Sequence, residues 1–86
     1  MSNLWRCYTW QGPVDSGRGD AESVEDWNSP EGAVEFLRGH LSAQGDYSSD
    51  ALVDALTELR QGAPVRLHRG LNNGDTLHLE VVPETV

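Results

Sequence analysis

The stretch 65–82 constrains the fold most, because its residue pattern is typical of a β-hairpin. Apolar and polar residues alternate over 65–69 and again over 77–81. The six residues between these two runs are rich in glycine, asparagine and aspartate, which favour turns. An isolated hairpin is only marginally stable in water, so the rest of the chain is expected to cover the apolar face of this one.

The alternation also indicates the register of the hairpin. A two-residue loop at Asn73 and Gly74 would place apolar and charged groups on both faces. A three-residue loop that also includes Asn72, with Gly74 in the left-handed conformation of a β-bulge, places the apolar side chains on one face. We therefore predict one apolar and one polar face, with four opposed pairs: Val65–Val81, Leu67–Leu79, Arg66–Glu80 and His68–His78.

A strand and two helices precede the hairpin in the predicted order. Residues 4–10 are rich in aromatic and β-favouring residues and predict a strand, whose buried face the pattern leaves open. Ser29 before Pro30 is typical of a helix start, which predicts a helix over about 29–44 and a second over about 48–61. Apolar residues at helical spacing predict the buried faces: Ala33, Val34, Leu37 and Leu41 in the first helix, and Leu52, Val53, Leu56 and Leu59 in the second.

These elements predict an α+β fold in a single small domain. The expected architecture is a two-layer sandwich in the order β-α-α-β-β, with two helices on one face of a three-stranded sheet. A chain of 86 residues fits one domain. Residues 11–27 are expected to form a long acidic loop, with a short strand at 23–27 as the alternative, and 83–86 to form a short polar tail.

Charge is the strongest indication of function. The net charge is −8, and residues 15–58 hold eleven acidic residues against two arginines, a local balance of −9. Such a chain is repelled by nucleic acid and by anionic lipid, and it attracts basic proteins. Cys7 as the single cysteine, with no visible signal peptide or membrane span, predicts a cytoplasmic protein. The lack of lysine and isoleucine indicates a GC-rich bacterial or phage genome.

An acidic row on the second helix is the first candidate site. Asp50, Asp54 and Glu58 recur at every fourth residue, and Glu31 and Glu35 repeat this spacing on the first helix. Each step corresponds to about 6 Å along the helix axis. These five residues are expected to bind a basic protein, including one that itself binds nucleic acid. The alternative interpretation is a solvated face that keeps an acidic protein soluble.

The polar face of the sheet is the second candidate site. Helices on one side of a three-stranded sheet would leave the other side open. Aromatic and basic residues are expected there, which are the residue types that interface hot spots favour: Tyr8, Trp10, Arg66, His68 and His78. This face would bind a peptide or a small ligand.

No catalytic, cofactor or metal site is predicted. No serine has the context of a nucleophile elbow. His68 and His78 oppose each other, but a metal site needs further ligands, which Cys7 or Glu80 would supply only under a particular strand order. We therefore expect a non-enzymatic interaction protein of the inhibitor, antitoxin or phage-encoded modulator type that binds a basic protein partner. The alternative is a peptide- or small-ligand-binding module.

Overall fold

The computed structural model describes residues 3–43 and 49–85, which form an α+β fold of two helices and one antiparallel four-stranded sheet. The elements in chain order are β1 (Asn3–Gly12), a 3-10 turn (Arg18–Asp20), β2 (Ser23–Trp27), α1 (Pro30–Ala43), α2 (Ser49–Arg60), β3 (Val65–Gly70) and β4 (Thr76–Thr85). The strand order is β2-β1-β4-β3, so β2 and β3 are the edges. The predicted fold class is confirmed, and the number of strands is corrected from three to four.

The hairpin of β3 and β4 has the predicted register. The paired residues are Val65 with Val81, Arg66 with Glu80, Leu67 with Leu79 and His68 with His78. The amide of Leu71 donates to the carbonyl of Asp75 at 2.8 Å, which leaves a three-residue loop ending at Gly74. Gly74 has a φ of +90°, the left-handed conformation that favours glycine. Local alternation and turn chemistry are therefore sufficient to specify this element.

The prediction of one long loop over 11–27 is the first that the structure corrects. The segment contains the end of β1, the 3-10 turn and the strand β2, so the short strand at 23–27 is present. β2 pairs antiparallel with β1, and Arg6 of β1 donates to Asp26 of β2 at 2.9 Å. Cross-strand pairs of opposite charge stabilise a sheet. The ion pair with Arg6 neutralises part of the negative charge of β2, which was the reason for predicting a loop there.

The predicted polar tail at 83–86 is the second correction. β4 continues to Thr85, which pairs with Asn3 at the start of β1. The polar C-terminal residues remain extended because β1 is long enough to pair with them. Residue 86 lies outside the described residues.

The start of α1 and the end of α2 agree with the prediction. Ser29 Oγ accepts a hydrogen bond from the amide of Gly32 at 3.0 Å and so caps α1. The predicted end of α1 near residue 44 lies outside the described residues. α2 begins at Ser49 and is followed by Gly62, whose φ of +84° is typical of a helix end.

The core lies between the helices and one face of the sheet. In α2 the buried residues are Leu52, Ala55 and Leu59, whereas Leu56 is half-buried and Val53 is 62% exposed. The predicted stripe is wrong at Val53, because the helix is rotated so that Ala55 packs inward. In α1 the structure adds one large residue to the prediction, Phe36, and leaves Val34 half-buried.

The orientation of β1, which the sequence left open, follows from the core. Cys7 is fully buried among the core residues beneath the helices. Since side chains alternate along a strand, Trp5 and Thr9 share its face. Tyr8 and Trp10 therefore lie on the opposite face of the sheet, as the second candidate site requires.

Candidate protein-binding surface

An unpaired acidic row lies on the solvent side of α2. Asp50, Asp54 and Glu58 are all exposed. No basic side chain within 3–43 and 49–85 forms an ion pair with any of them. Like charges four residues apart each cost an isolated helix roughly 0.2–0.5 kcal/mol. The row therefore reduces the stability of α2, and no counter-charge in the described chain offsets this cost.

A groove separates this row from the edge strand β3. The groove has a volume of about 320 Å³ and is lined by Ala51, Asp54, Ala55 and Glu58 on the helix side and by Pro64, Val65, Arg66 and Leu67 on the strand side. Ala55 and Val65 are buried and Leu67 is half-buried. The surface therefore combines an apolar lining with two unpaired carboxylates.

The acidic residues of α1 differ from those of α2. Glu31 lies 3.4 Å from Nε of Arg60 at the end of α2, and Glu35 pairs with Arg38 one turn further along α1. Glu35 also lines a different groove, beside β2. The five predicted binding residues therefore separate into an unpaired set on α2 and an ion-paired set on α1.

The residues of the second candidate site do share one sheet face, and Glu80 is the centre of its charge network. Glu80 is 5% exposed and accepts a hydrogen bond from Arg66 Nε at 2.8 Å. Its other oxygen lies 3.0 Å from Arg18 Nη1, and the Arg18 guanidinium stacks over the Tyr8 ring at 5.3 Å from the centroid. A buried carboxylate requires such partners, so Arg66 already has an internal role.

Residues 13–21, the covering segment, close the middle of this face. Trp10 and His78 are each only 1% exposed, and their rings stack at a centroid distance of 4.9 Å. The indole N–H of Trp10 donates to Ser16 Oγ at 3.0 Å. The expectation of an open face is therefore wrong at Trp10 and His78, because a buried indole N–H needs an acceptor and the covering segment supplies it.

Ser16 and His78 resemble a catalytic pair only in distance. His78 Nε2 lies 3.2 Å from Ser16 Oγ and 3.0 Å from the carbonyl oxygen of Pro13. The Ser16 hydroxyl donates to that carbonyl oxygen at 2.7 Å, so its proton points to Pro13 and not to His78 Nε2. A general base would present an unprotonated nitrogen to the hydroxyl. In this arrangement the pair joins the covering segment to the sheet.

The histidines do not combine with the cysteine. The rings of His68 and His78 meet edge to face at 5.3 Å, whereas Cys7 lies on the other side of the sheet. Burial, followed by the nearby carboxylates of Glu25 and Asp26, raises the pKa of Cys7 to about 12. No cluster of three or more potential metal ligands occurs among the residues that the structure describes.

Sequence reasoning missed two residues that shape this side of the molecule, Ser16 and Arg18. Arg18 carried a usable signal, because it is one of only two basic residues between 15 and 58. An isolated arginine in an acidic segment indicates a carboxylate partner within the fold, which here is Glu80. Ser16 had no comparable signal, since its contact with the sheet residue His78 spans 62 residues along the chain.

Comparison of the chain with protein-family models, with curated proteins and with solved structures found no match. Within the described ranges, neither helix is long and apolar enough to cross a bilayer.

Proposed function

We propose that the protein is a non-enzymatic interaction protein that binds a basic protein partner through the acidic row of α2. The observation that carries the proposal is that Asp50, Asp54 and Glu58 are exposed and have no ion-pair partner in the described chain. Elsewhere the arginines are used inside the molecule, for example by Asp26 and Glu80. Within the described ranges, the α2 row places three exposed acids on one helix face without a counter-charge.

The charge of the whole protein supports the same partner class. A net charge of −8 repels nucleic acid and attracts a basic surface over long distances. Electrostatic attraction of this kind increases association rates and excludes wrong partners. A nucleic-acid-binding protein, whose own surface is basic, fits this chemistry, and the protein would then act as an inhibitor, antitoxin or modulator. The single buried thiol of Cys7 suits a reducing compartment such as the cytoplasm.

The alternative, a ligand site on the other face of the sheet, has less support. Trp10 would have to serve as its aromatic anchor, yet it is 1% exposed beneath the covering segment. Binding there would first require the loss of the hydrogen bond that Trp10 donates to Ser16 and of the contact between His78 Nε2 and the carbonyl oxygen of Pro13.

Affinity capture with matched charge variants tests the proposal. The first bait carries Asp50→Asn, Asp54→Asn and Glu58→Gln. The control bait neutralises three exposed acids outside α2 that form no ion pair within the described chain: Asp15→Asn, Glu25→Gln and Asp75→Asn. Both baits have the same net charge, so they differ only in where the charge is lost.

We expect the unmodified and control proteins to retain a basic partner from a lysate of the native host, and the α2 variant to lose it. Mass spectrometry identifies the partner. Equal retention by the α2 and control baits would contradict the proposal, as would a retained partner without a basic surface.

A further inference from the structure

We propose that the partner segment binds as an extended strand that pairs with the outer edge of β3, with basic side chains at every second position facing Asp54 and Glu58. This inference rests on the proposed function and specifies its binding mode. β3 is an edge strand of six residues, Val65–Gly70, and the groove lies directly between it and α2. An edge strand presents unpaired backbone donors and acceptors, to which an extended peptide can add.

The spacing of the carboxylates matches a strand. Asp54 and Glu58 are four residues apart on a helix, which corresponds to about 6 Å along its axis. Side chains two residues apart on a strand lie on the same face and are separated by roughly 6.6–6.8 Å. Two basic residues at positions i and i+2 of a strand beside β3 can therefore reach both carboxylates together.

The other face of the added strand would meet a different environment. Arg66 lines both the groove and a second cavity on the far side of β3, where Arg18 also lies, and its guanidinium pairs with Glu80. Positions between the basic residues of the partner would face these guanidinium groups. The partner pattern is therefore basic, then uncharged or acidic, then basic.

The opposite edge of the sheet is less suited to a basic strand. The groove beside β2 also holds carboxylates, Glu25 and Glu35, but Glu35 is paired with Arg38 and the same groove is lined by His40. The β3 groove holds two unpaired carboxylates, and its one arginine, Arg66, is already paired with Glu80, so it is the better match for a cationic segment.

A second copy of the chain fits the β3 edge poorly. Pairing of two β3 strands would extend the sheet and bring the two α2 helices together over it. The carboxylates of Asp54 and Glu58 in one copy would then approach those of the other copy, and like charges in an interface oppose association. Charge complementarity therefore selects a basic segment as the occupant.

Three synthetic peptides test this binding mode. The first two have the same composition in a different order, and the third differs from the first by N-methylation. The first peptide alternates lysine and threonine, the second carries all its lysines at one end, and the third is the alternating peptide with N-methyl groups on alternate amides. Affinity is measured by titration, and hydrogen exchange is measured at the amides of 65–70. The protein with Asp54→Asn and Glu58→Gln is the matched control.

The alternating peptide should bind at least about tenfold tighter than the block peptide, a difference of 1.4 kcal/mol. It should slow exchange at the β3 amides and lose affinity on N-methylation and with the control protein. If both peptides bind equally and β3 exchange is unchanged, strand addition is wrong while acidic capture stands. If neither peptide binds, the binding mode is wrong, and the capture experiment decides the function independently. Self-association that protects β3 without peptide would identify a second copy as the occupant and overturn the inference.

Discussion

Replacement of Trp10 by alanine separates a structural role for the covered sheet face from a binding role. Trp10 is 1% exposed, its ring stacks on His78, and its indole N–H donates to Ser16 Oγ at 3.0 Å. The substitution removes the side chain against which the covering segment packs. It also leaves Ser16 without one of its hydrogen-bond donors.

The expected cost is a large part of the total stability. Truncation of a buried Trp to Ala typically costs about 3–5 kcal/mol. Small proteins have free energies of unfolding near 0.05–0.15 kcal/mol per residue, which corresponds to about 4–13 kcal/mol for this chain. If the free energy of unfolding of the parent lies near the low end of this range, Trp10→Ala should therefore leave a measurable fraction of the protein unfolded. Val24→Ala, on the same sheet face but at a site 51% exposed, should change stability by less than about 0.5 kcal/mol.

Urea denaturation monitored by circular dichroism measures the difference. The midpoint for Trp10→Ala should fall far below those of the parent and of Val24→Ala, and Ser16→Ala should lie between them. An unchanged midpoint for Trp10→Ala would show that the covering segment does not bury this side chain, and the open-face interpretation would return.

Three further predictions concern two core leucines, two glycines of α1 and the buried thiol of Cys7. Leu79→Ala should cost about 2–5 kcal/mol because Leu79 is 1% exposed, whereas Leu56→Ala should cost less because Leu56 is half-buried; thermal melting compares them. Gly39→Ala should stabilise the protein by up to about 1 kcal/mol because a Cβ there meets nothing within 4 Å, whereas Gly32→Ala should destabilise it because its Cβ would lie 2.5 Å from an indole carbon of β2. Burial raises the pKa of Cys7 from 9.0 to about 12, so the contribution of the neutral thiol to stability is complete below about pH 9 and is lost towards pH 12. The variant Cys7→Ala should therefore lose less stability than the parent between pH 9 and pH 12. The native thiol should resist alkylation at neutral pH.

The hairpin was predictable because its determinants are local. Alternation over two short runs and one glycine with positive φ are sufficient to specify the register of β3 and β4. β2 was only an alternative in the sequence, because its stability depends on a distant partner. Arg6 reaches Asp26 across 20 residues of sequence, and composition alone does not reveal that pairing.

The candidate site was predictable in part for the same reason. The spacing of Asp54 and Glu58 on one helix face is a local property, and both are exposed as predicted. Which acids are neutralised by arginines is only partly local, since Glu35 pairs with Arg38 three residues along α1 whereas Glu31 pairs with Arg60 of the other helix. The groove also depends on β3 being an edge, and the strand order that makes it an edge is set by the pairing of β1 with β4.

The most direct test of the central claim is a titration of the captured partner at low and high salt. The three proteins compared are the parent, the α2 variant (Asp50→Asn, Asp54→Asn and Glu58→Gln) and its charge-matched control. Exposed ion pairs contribute roughly 0.2–1 kcal/mol each, so the α2 variant should lose about 0.6–3 kcal/mol, or roughly 3- to 140-fold in affinity. The loss of affinity should be clear near 0.1 M salt, where the Debye screening length is about 10 Å. It should be small near 1 M salt, where this length is only about 3 Å. Affinity that ignores salt and is unchanged in the α2 variant would contradict the account.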